Sequence, residues 1–233
     1  MLPVGFKPVS EIPSYVKLLL YGQPGAGKTK FCADAPKPCW IDFENSTETL
    51  RHWPEYSGIP VKVPDSVLDL FKMVKNLVID PACETIIIDS VTSALDSYMM
   101  DKAEDIAKKN SGRDEFVFYE ADYKYSTRVF AKLFDMLVSV PKNVVVIFHE
   151  ATALDENKKV TSIYPDVTPK LRQNVQRLVN VVGYLDKETS AARGTTTRKL
   201  YVNGTSKISA KNRLNIQETF LTNPDWKALH HGN

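Results

Sequence analysis

Gly22-Gln23-Pro24-Gly25-Ala26-Gly27-Lys28-Thr29, followed by Lys30, satisfies the pattern G-x-x-x-x-G-K-[ST], and its context decides the fold. The segment comes directly after the apolar run Val16–Tyr21 and opens a predicted helix, the strand–loop–helix order in which such a loop wraps phosphates. Glycine suits it because the backbone N–H groups must turn inward around the phosphates with no Cβ in the way, while the helix N-terminus adds partial positive charge. Lys28 then reaches the β- and γ-phosphates, and the Thr29 hydroxyl serves Mg²⁺, a hard cation that takes oxygen ligands. Residues 22–30 are therefore the expected ATP-binding segment.

Outward from this loop, short apolar runs recur between longer amphipathic stretches, the pattern of repeated βαβ units. Strands are predicted at Val16–Tyr21, Cys39–Phe43, Thr85–Asp89 and Asn143–His149, with later ones at Asn180–Asp186 and Arg198–Asn203. Ile86-Ile87-Ile88 and Val144-Val145-Val146-Ile147 are apolar on both faces, as expected of a mostly parallel central sheet flanked by helices on both sides. Ser66–Val78 carries Leu68, Phe71, Val74, Leu77 and Val78 on one helical stripe. Glu120–Val140 does the same with Phe130, Leu133, Phe134 and Leu137. Lys108–Glu115 and Glu150–Pro169 lack periodicity and are predicted as loops. The stretch Thr189–Thr197, with Gly194, joins the late strands as a C-terminal β-hairpin extension rather than another crossover. The predicted organisation is an N-terminal arm over 1–14, one α/β core over 15–220 and a C-terminal tail over 221–233.

The composition agrees: 233 residues, 43% hydrophobic and 25% charged, suffice for one substantial core. No stretch approaches the roughly 20 apolar residues of a membrane span, and an N-terminus bearing Pro3, Pro8 and Pro13 lacks a secretory layout, so a soluble cytoplasmic protein is expected. Cys32, Cys39 and Cys83 are too few and too irregularly spaced for a disulfide framework or a zinc site, and are expected as buried thiols. Net charge is +2, yet residues 1–120 hold 13 Lys+Arg against 18 Asp+Glu, whereas residues 121–233 hold 17 against 10. A basic C-terminal half fits a polyanion contact and equally fits a solvated surface.

Carboxylates at predicted strand tips complete the candidate site. Thr85-Ile86-Ile87-Ile88-Asp89 ends in an acid suited to hold Mg²⁺ beside the phosphate loop. The next residue is Ser90, so a water-activating carboxylate must come from elsewhere. Trp40-Ile41-Asp42-Phe43-Glu44-Asn45 offers Glu44 at the edge where open parallel sheets bind ligands. The alternative reading is that Glu44, Asn45 and Ser46 merely start the next helix. Val144–Phe148 leads to His149, a polar tip that either contacts the γ-phosphate and reports hydrolysis to the next loop or is an ordinary hydrogen-bonding residue.

In this order the segments resemble the RecA superfamily: a strand ending Ile41-Asp42-Phe43-Glu44-Asn45, similar to the recombinases' Ile-Asp-Ala-Glu-His, then Ile87-Ile88-Asp89-Ser90-Val91, then a strand with a polar tip. The resemblance spans roughly residues 15–215 and is strongest to the short phage RecA-core single-strand annealing proteins of the Sak type. It implies a RecA-like P-loop NTPase core in which Lys28 and Thr29 bind ATP and Mg²⁺, Asp89 orders the metal and Glu44 activates water. His149 stands where recombinases carry a glutamine sensor, a departure from the pattern. Ala210-Lys211-Asn212-Arg213 resembles the Lys-x-Arg of the RadA, KaiC and replicative-helicase branches, which implies that Lys211 and Arg213 reach a neighbouring subunit's ATP in a homo-oligomer with shared sites. The family's DNA-binding loops correspond to the stretch with Lys158, Lys159, Lys170 and Arg172 and to that around Lys108, Lys109 and Arg113. Phe116, Phe118, Tyr119 and Tyr164 are available to stack bases, and Phe6 to hook a neighbour. The implied function is DNA-stimulated ATP hydrolysis on single-stranded DNA that promotes annealing or strand pairing, in a host cytoplasm if phage-encoded, with a single-strand-binding protein as a further partner. A ring-forming DNA motor, a KaiC-like regulatory switch and a P-loop kinase are the alternatives, the last weakened because the chain lacks an arginine-bearing lid.

Overall fold

The computed structural model describes residues 5–110, 112–190 and 194–229. The first four residues of the expected arm, 191–193 of the hairpin turn and 230–233 of the tail lie outside the described residues. The central strand is β1 (Lys17–Tyr21), buried along its whole length. It pairs in parallel with β5 (Asn143–Phe148) on one side and β8 (Val181–Ser190) on the other. Beyond β5 come β4 (Thr85–Asp89), β2 (Pro38–Asp42) and the two-residue edge strand β3 (Val61–Lys62), all parallel. Beyond β8 the sheet turns antiparallel through β9 (Thr195–Tyr201) and β11 (Phe220–Thr222), while β10 (Lys211–Asn212) also pairs with β8. The predicted C-terminal hairpin is β8–β9.

Because side chains alternate across a strand, β1 sends Leu19 and Tyr21 to one face and Leu18 and Leu20 to the other. The first face is covered by α2 (Val67–Ile79), α3 (Val91–Lys109), α4 (Glu120–Ser139) and α5 (Pro169–Leu178), which contribute Val74, Tyr98, Phe134 and Val175 to the core. The second is covered by thinner material: the six-residue α1 (Lys28–Ala33), the 3₁₀ segment Ser46–His52, and Trp226 and Leu229 near the C-terminus. Helices thus flank both faces, unequally.

Several segments depart from the predicted pattern. Glu150–Pro169, predicted as a loop, forms an antiparallel hairpin of β6 (Glu150–Leu154) and β7 (Val160–Pro165). Its turn is tied by Asp155, whose Oδ1 accepts from the backbone of Asn157 at 2.8 Å and of Lys159 at 2.9 Å, with Lys158 at positive φ. Lys108 and Lys109 belong to the last turn of α3 rather than to a loop, since the helix runs on from its cap at Ser90. Past residue 220, β11 pairs with β9, and Trp226 and Leu229 are buried, so the expected tail contributes to the core. In the arm, Phe6 is 69% exposed. All three cysteines are buried and free, and no helix among the described residues is long and apolar enough to cross a membrane.

Three lysines close helix or strand ends with their ammonium groups. Lys17 Nζ donates to the carbonyls of Leu137 at 3.3 Å and of Val140 and Lys142 at 2.6 Å, at the end of α4. Lys142 Nζ serves Asp80 at 2.6 Å and Cys83 after α2. Lys211 Nζ donates to Val179 at 2.9 Å and to Gln176, at the end of α5. The last carbonyls of a helix have no intrahelical donor, and a lysine ammonium with three N–H groups supplies several at once.

Candidate functional site

The carboxyl ends of β1, β2, β4 and β5 meet on one edge of the sheet, and each delivers one element of the site. From β1 the phosphate loop emerges with Gly22, Gly25 and Gly27 at positive φ. At Gly22 a Cβ would lie 2.2 Å from the Leu185 carbonyl oxygen of β8, and at Gly27 it would lie 2.5 Å from Arg198 Nε, so both positions need glycine for space as well as for conformation. Lys28 Nζ folds back on the loop, donating to the carbonyls of Gly22 at 2.7 Å and Gln23 at 3.0 Å. Burial lowers its pKa, against the pull of the Asp89 and Glu44 carboxylates.

Glu44 lies two residues past the end of β2, and a buried side chain unremarked in the sequence places it. Asp42 is fully buried, and its Oδ1 accepts from the backbone of Glu44 at 3.0 Å and of Ser46 at 3.2 Å. Its Oδ2 accepts from the Thr47 backbone at 2.9 Å and the Thr47 hydroxyl at 2.7 Å. Asn45, at φ 57°, makes no side-chain cap to the following 3₁₀ turn. The Glu44 carboxylate turns instead toward β5 and α3. Its Oε1 accepts from His149 Nε2 at 2.7 Å, from Ser93 Oγ at 2.5 Å and from Ser90 Oγ. Burial pushes the Glu44 pKa up, but these three donors outweigh it and hold the carboxyl at about 2. The same hydrogen bond raises His149, against its partial burial. The His149 backbone is fixed by its N–H donating to Thr92 Oγ1 at 3.1 Å.

Asp89 ends β4 almost fully buried, with Oδ2 accepting from Ser46 Oγ at 2.5 Å. Burial pushes its pKa up to about 6; the Ser46 bond opposes this and the neighbouring Glu44 and Asp42 carboxylates add to it. Buried Asp42 and Asp89 with the partly exposed Glu44, crowded beside a phosphate loop, fit a divalent cation, which would relieve their repulsion. Thr29 and Asp89 are the residues that would hold Mg²⁺ there, a hard cation that takes oxygen ligands. Among the described residues no cluster of three or more His, Cys, Asp or Glu forms a closed metal cage.

The structure therefore brings Lys28, Glu44, Asp89 and His149 together. Lys211 and Arg213 lie elsewhere in the same chain. They follow the register Lys211↔Val182, near the amino end of β8, toward the sheet edge opposite the phosphate loop. Arg213 Nη2 donates to the Arg177 carbonyl at 3.1 Å. Lys158 and Lys159 stand exposed at the hairpin tip beside Asp155 and Glu156, Lys170 opens α5, and the Arg172 guanidinium packs on the Tyr164 ring at 3.9 Å from its centroid. Arg113 pairs with Asp122 and covers the Tyr119 ring at 4.4 Å, while Phe116 is 72% exposed.

Two contacts to the loop were not legible in the sequence. Gln23 Nε2 donates to Glu150 Oε1 at 3.1 Å, joining the phosphate loop to the root of the β6–β7 hairpin. Arg198 of β9 donates from Nε to the Ala26 carbonyl at 3.1 Å. The two partners are 172 positions apart, and only strand pairing brings them together.

A family model described as an AAA domain matches residues 14–214. The curated proteins show no match to the chain. Among solved structures, a KaiC-like protein from the hyperthermophilic archaeon Pyrococcus horikoshii is similar at 15% identity and a TM-score of 0.45, with 79% of this chain and 76% of that one covered.

Proposed function

The chain belongs to the AAA domain family, and on that footing we propose that it is a P-loop ATPase that binds ATP with Mg²⁺, hydrolyses the γ-phosphate and uses the cycle on single-stranded DNA to promote annealing or strand pairing. The observation that carries the ATPase reading is the convergence of four strand tips, with Glu44 Oε1 saturated by three donors. That loading fixes the carboxylate's direction and leaves Oε2 as the oxygen to take a proton from water. A carboxylate held at about 2 is a weak base, so proton abstraction requires that its donors loosen. His149 is the donor suited to do so, because a cationic imidazole has a competing partner in a γ-phosphate oxygen. Lys28 and the loop amides hold the phosphates. Thr29 and Asp89 would hold Mg²⁺, which when bound would supply charge neutralisation at the phosphate oxygens.

His149 is followed directly by Glu150, the root of the β6–β7 hairpin, so exchange of the His149 partner is felt where the hairpin begins. With Lys158 and Lys159 at its tip and Lys170 and Arg172 on α5, this hairpin is the element proposed to meet DNA. The subunits are proposed to share sites through Lys211 and Arg213, with a single-strand-binding protein as a further partner. A regulatory switch of the KaiC-like kind is the second reading, favoured by one observation: Asp155 and Glu156 balance Lys158 and Lys159 at the tip, which suits a protein load as well as a polyanion.

Phosphate release by the purified full chain, with and without a single-stranded oligonucleotide across a salt series, tests both layers. Hydrolysis stimulated by the oligonucleotide, with binding that weakens steeply as salt rises, is the expected result. Hydrolysis without binding at low salt would sink the DNA reading and leave the switch. No hydrolysis under any condition would sink the ATPase reading.

A further inference from the structure

Glu150 stands beside the phosphate loop without belonging to it. It begins β6 opposite Pro165, next to the pair Ala151↔Tyr164, and its Oε1 accepts from Gln23 Nε2 at 3.1 Å. Its Oε2 is buried and has no hydrogen-bond partner among the described residues. Nη1 of Arg172 is in the same condition: the guanidinium packs on the Tyr164 ring at 3.9 Å from its centroid, and this nitrogen is buried without a partner. Both charges act on one hydroxyl. Burial raises the Tyr21 pKa, and of the two charged groups Glu150 adds to the rise while Arg172 opposes it. A carboxylate oxygen and a guanidinium nitrogen, both buried and both lacking hydrogen-bond partners, therefore lie around one phenol.

We propose that Glu150 is a positioning residue that sets the affinity of the phosphate loop for nucleotide: unpaired, its charge and its hold on Gln23 oppose an incoming polyphosphate, and pairing of Oε2 with Arg172 lifts that opposition. The inference rests on the ATPase reading above and adds to it how the hairpin and α5 reach the loop. The charge argument is direct. A carboxylate beside a loop that gathers anions raises the free energy of bound phosphate, and a partly buried one is weakly screened by salt. Its field already reaches the loop lysine: burial lowers the Lys28 pKa, and Glu150 is among the groups that oppose this. A buried charged group without a partner is costly, and a carboxylate–guanidinium pair is stronger than the amide bond to Gln23. The competitor for the guanidinium is the Tyr164 ring. Because Tyr164 lies on β7 and Arg172 on α5, a shift of the hairpin against α5 changes the pairing. By linkage, nucleotide in the loop then shifts the hairpin in return.

The test is calorimetric titration of the full chain with MgATP. Glu150→Gln keeps an oxygen to accept from Gln23 and removes the charge, so it is expected to tighten MgATP at least about fivefold, the lower end of an ordinary coupling between sites. A residue that merely supports the loop would give the opposite sign. Glu156→Gln makes the same change at the exposed hairpin tip and is expected to leave the affinity within about twofold, since an exposed charge is screened. Arg172→Met is expected to weaken MgATP several-fold on its own and to have no effect in the presence of Glu150→Gln, a coupling that a double-mutant cycle reads. Unchanged or weaker binding in Glu150→Gln, equal tightening by Glu156→Gln, or an Arg172→Met effect that persists without the Glu150 charge would overturn the proposal. If Arg172→Met does not fold, the two glutamine variants decide alone. Wild-type protein that binds no MgATP overturns the ATPase reading itself and this inference with it, whereas binding that Lys28→Ala weakens and Glu150→Gln leaves unchanged overturns only the inference.

Discussion

Lys28 and Lys211 are both ammonium groups held by backbone carbonyls, yet they are held for opposite reasons. Lys28 donates to Gly22 and Gln23 inside the phosphate loop, with burial lowering its pKa and the Asp89 and Glu44 carboxylates drawing it back. Lys211 donates to Gln176 and Val179 at the end of α5, with burial lowering its pKa and the only other contributor, Arg213, lowering it further. One cation sits in an acidic field beside flexible glycines and is free to exchange carbonyls for phosphate oxygens. The other satisfies a helix terminus, as Lys17 and Lys142 do. The same residue type with the same kind of partner is therefore suited to binding at one site and closes a helix at the other, and the surrounding charges mark the difference.

Substitutions can break or sharpen this contrast. The largest effect is expected at Glu44, the carboxylate that shares the acidic field of Lys28. Glu44→Gln should lower kcat by about 10²–10⁴-fold, the range of a lost general base, with ATP affinity retained in an equilibrium titration. Lys28→Ala comes next, with a loss of about 10²–10³-fold in kcat, as for one removed electrostatic stabiliser, and a thermal midpoint close to wild type. Lys211→Ala should do the reverse in one chain. It leaves carbonyls of α5 without their donor, destabilising the fold by about 1–3 kcal/mol in denaturant unfolding, while ATP binding persists. Loss of hydrolysis beyond what that destabilisation explains is the outcome expected if Lys211 also serves a neighbouring subunit's site as proposed, whereas unchanged hydrolysis would confine Lys211 to the helix end.

The smallest effect is a pH dependence of the Glu44–His149 pair. The folded pKa of Glu44, about 2, lies below its ordinary value of 4.5, so its contribution to stability is present above about 4.5 and is lost as pH falls toward 2. The folded pKa of His149 is raised above 6.5, so its contribution is full below 6.5 and is lost as pH rises through the folded value. The two windows overlap between roughly pH 4.5 and 6.5. The stability gap between wild type and His149→Gln should peak there and shrink toward pH 9. Both side chains are partly exposed, so a gap of under about 1 kcal/mol is expected.

The strands of the parallel sheet were legible because each is an apolar run between turn-formers, and the glycine-rich loop announced its own site. The β6–β7 hairpin was not, because its first strand is built from the small residues Ala151, Thr152 and Ala153 and both strands are half exposed, which flattens the alternation that marks a strand. Helix α3 escaped notice for a related reason: charged residues fill its second half and blur its stripe. Glu44 and His149 stood out as polar strand tips, but nothing in Ser90 and Ser93 foretold that they would share one carboxylate oxygen with His149. Asp42 and Arg198 act through contacts that exist only once the chain is folded, one inside a tight turn and the other across 172 positions.

Asp42 carries a further consequence. Its carboxylate anchors the turn that bears Glu44, and Ser46 in that turn holds Asp89. Glu44 and Asp89, the acids proposed to serve water and metal, are thus tied to one anchor. The spacing of the two acids therefore depends on one buried aspartate that lies outside the pair.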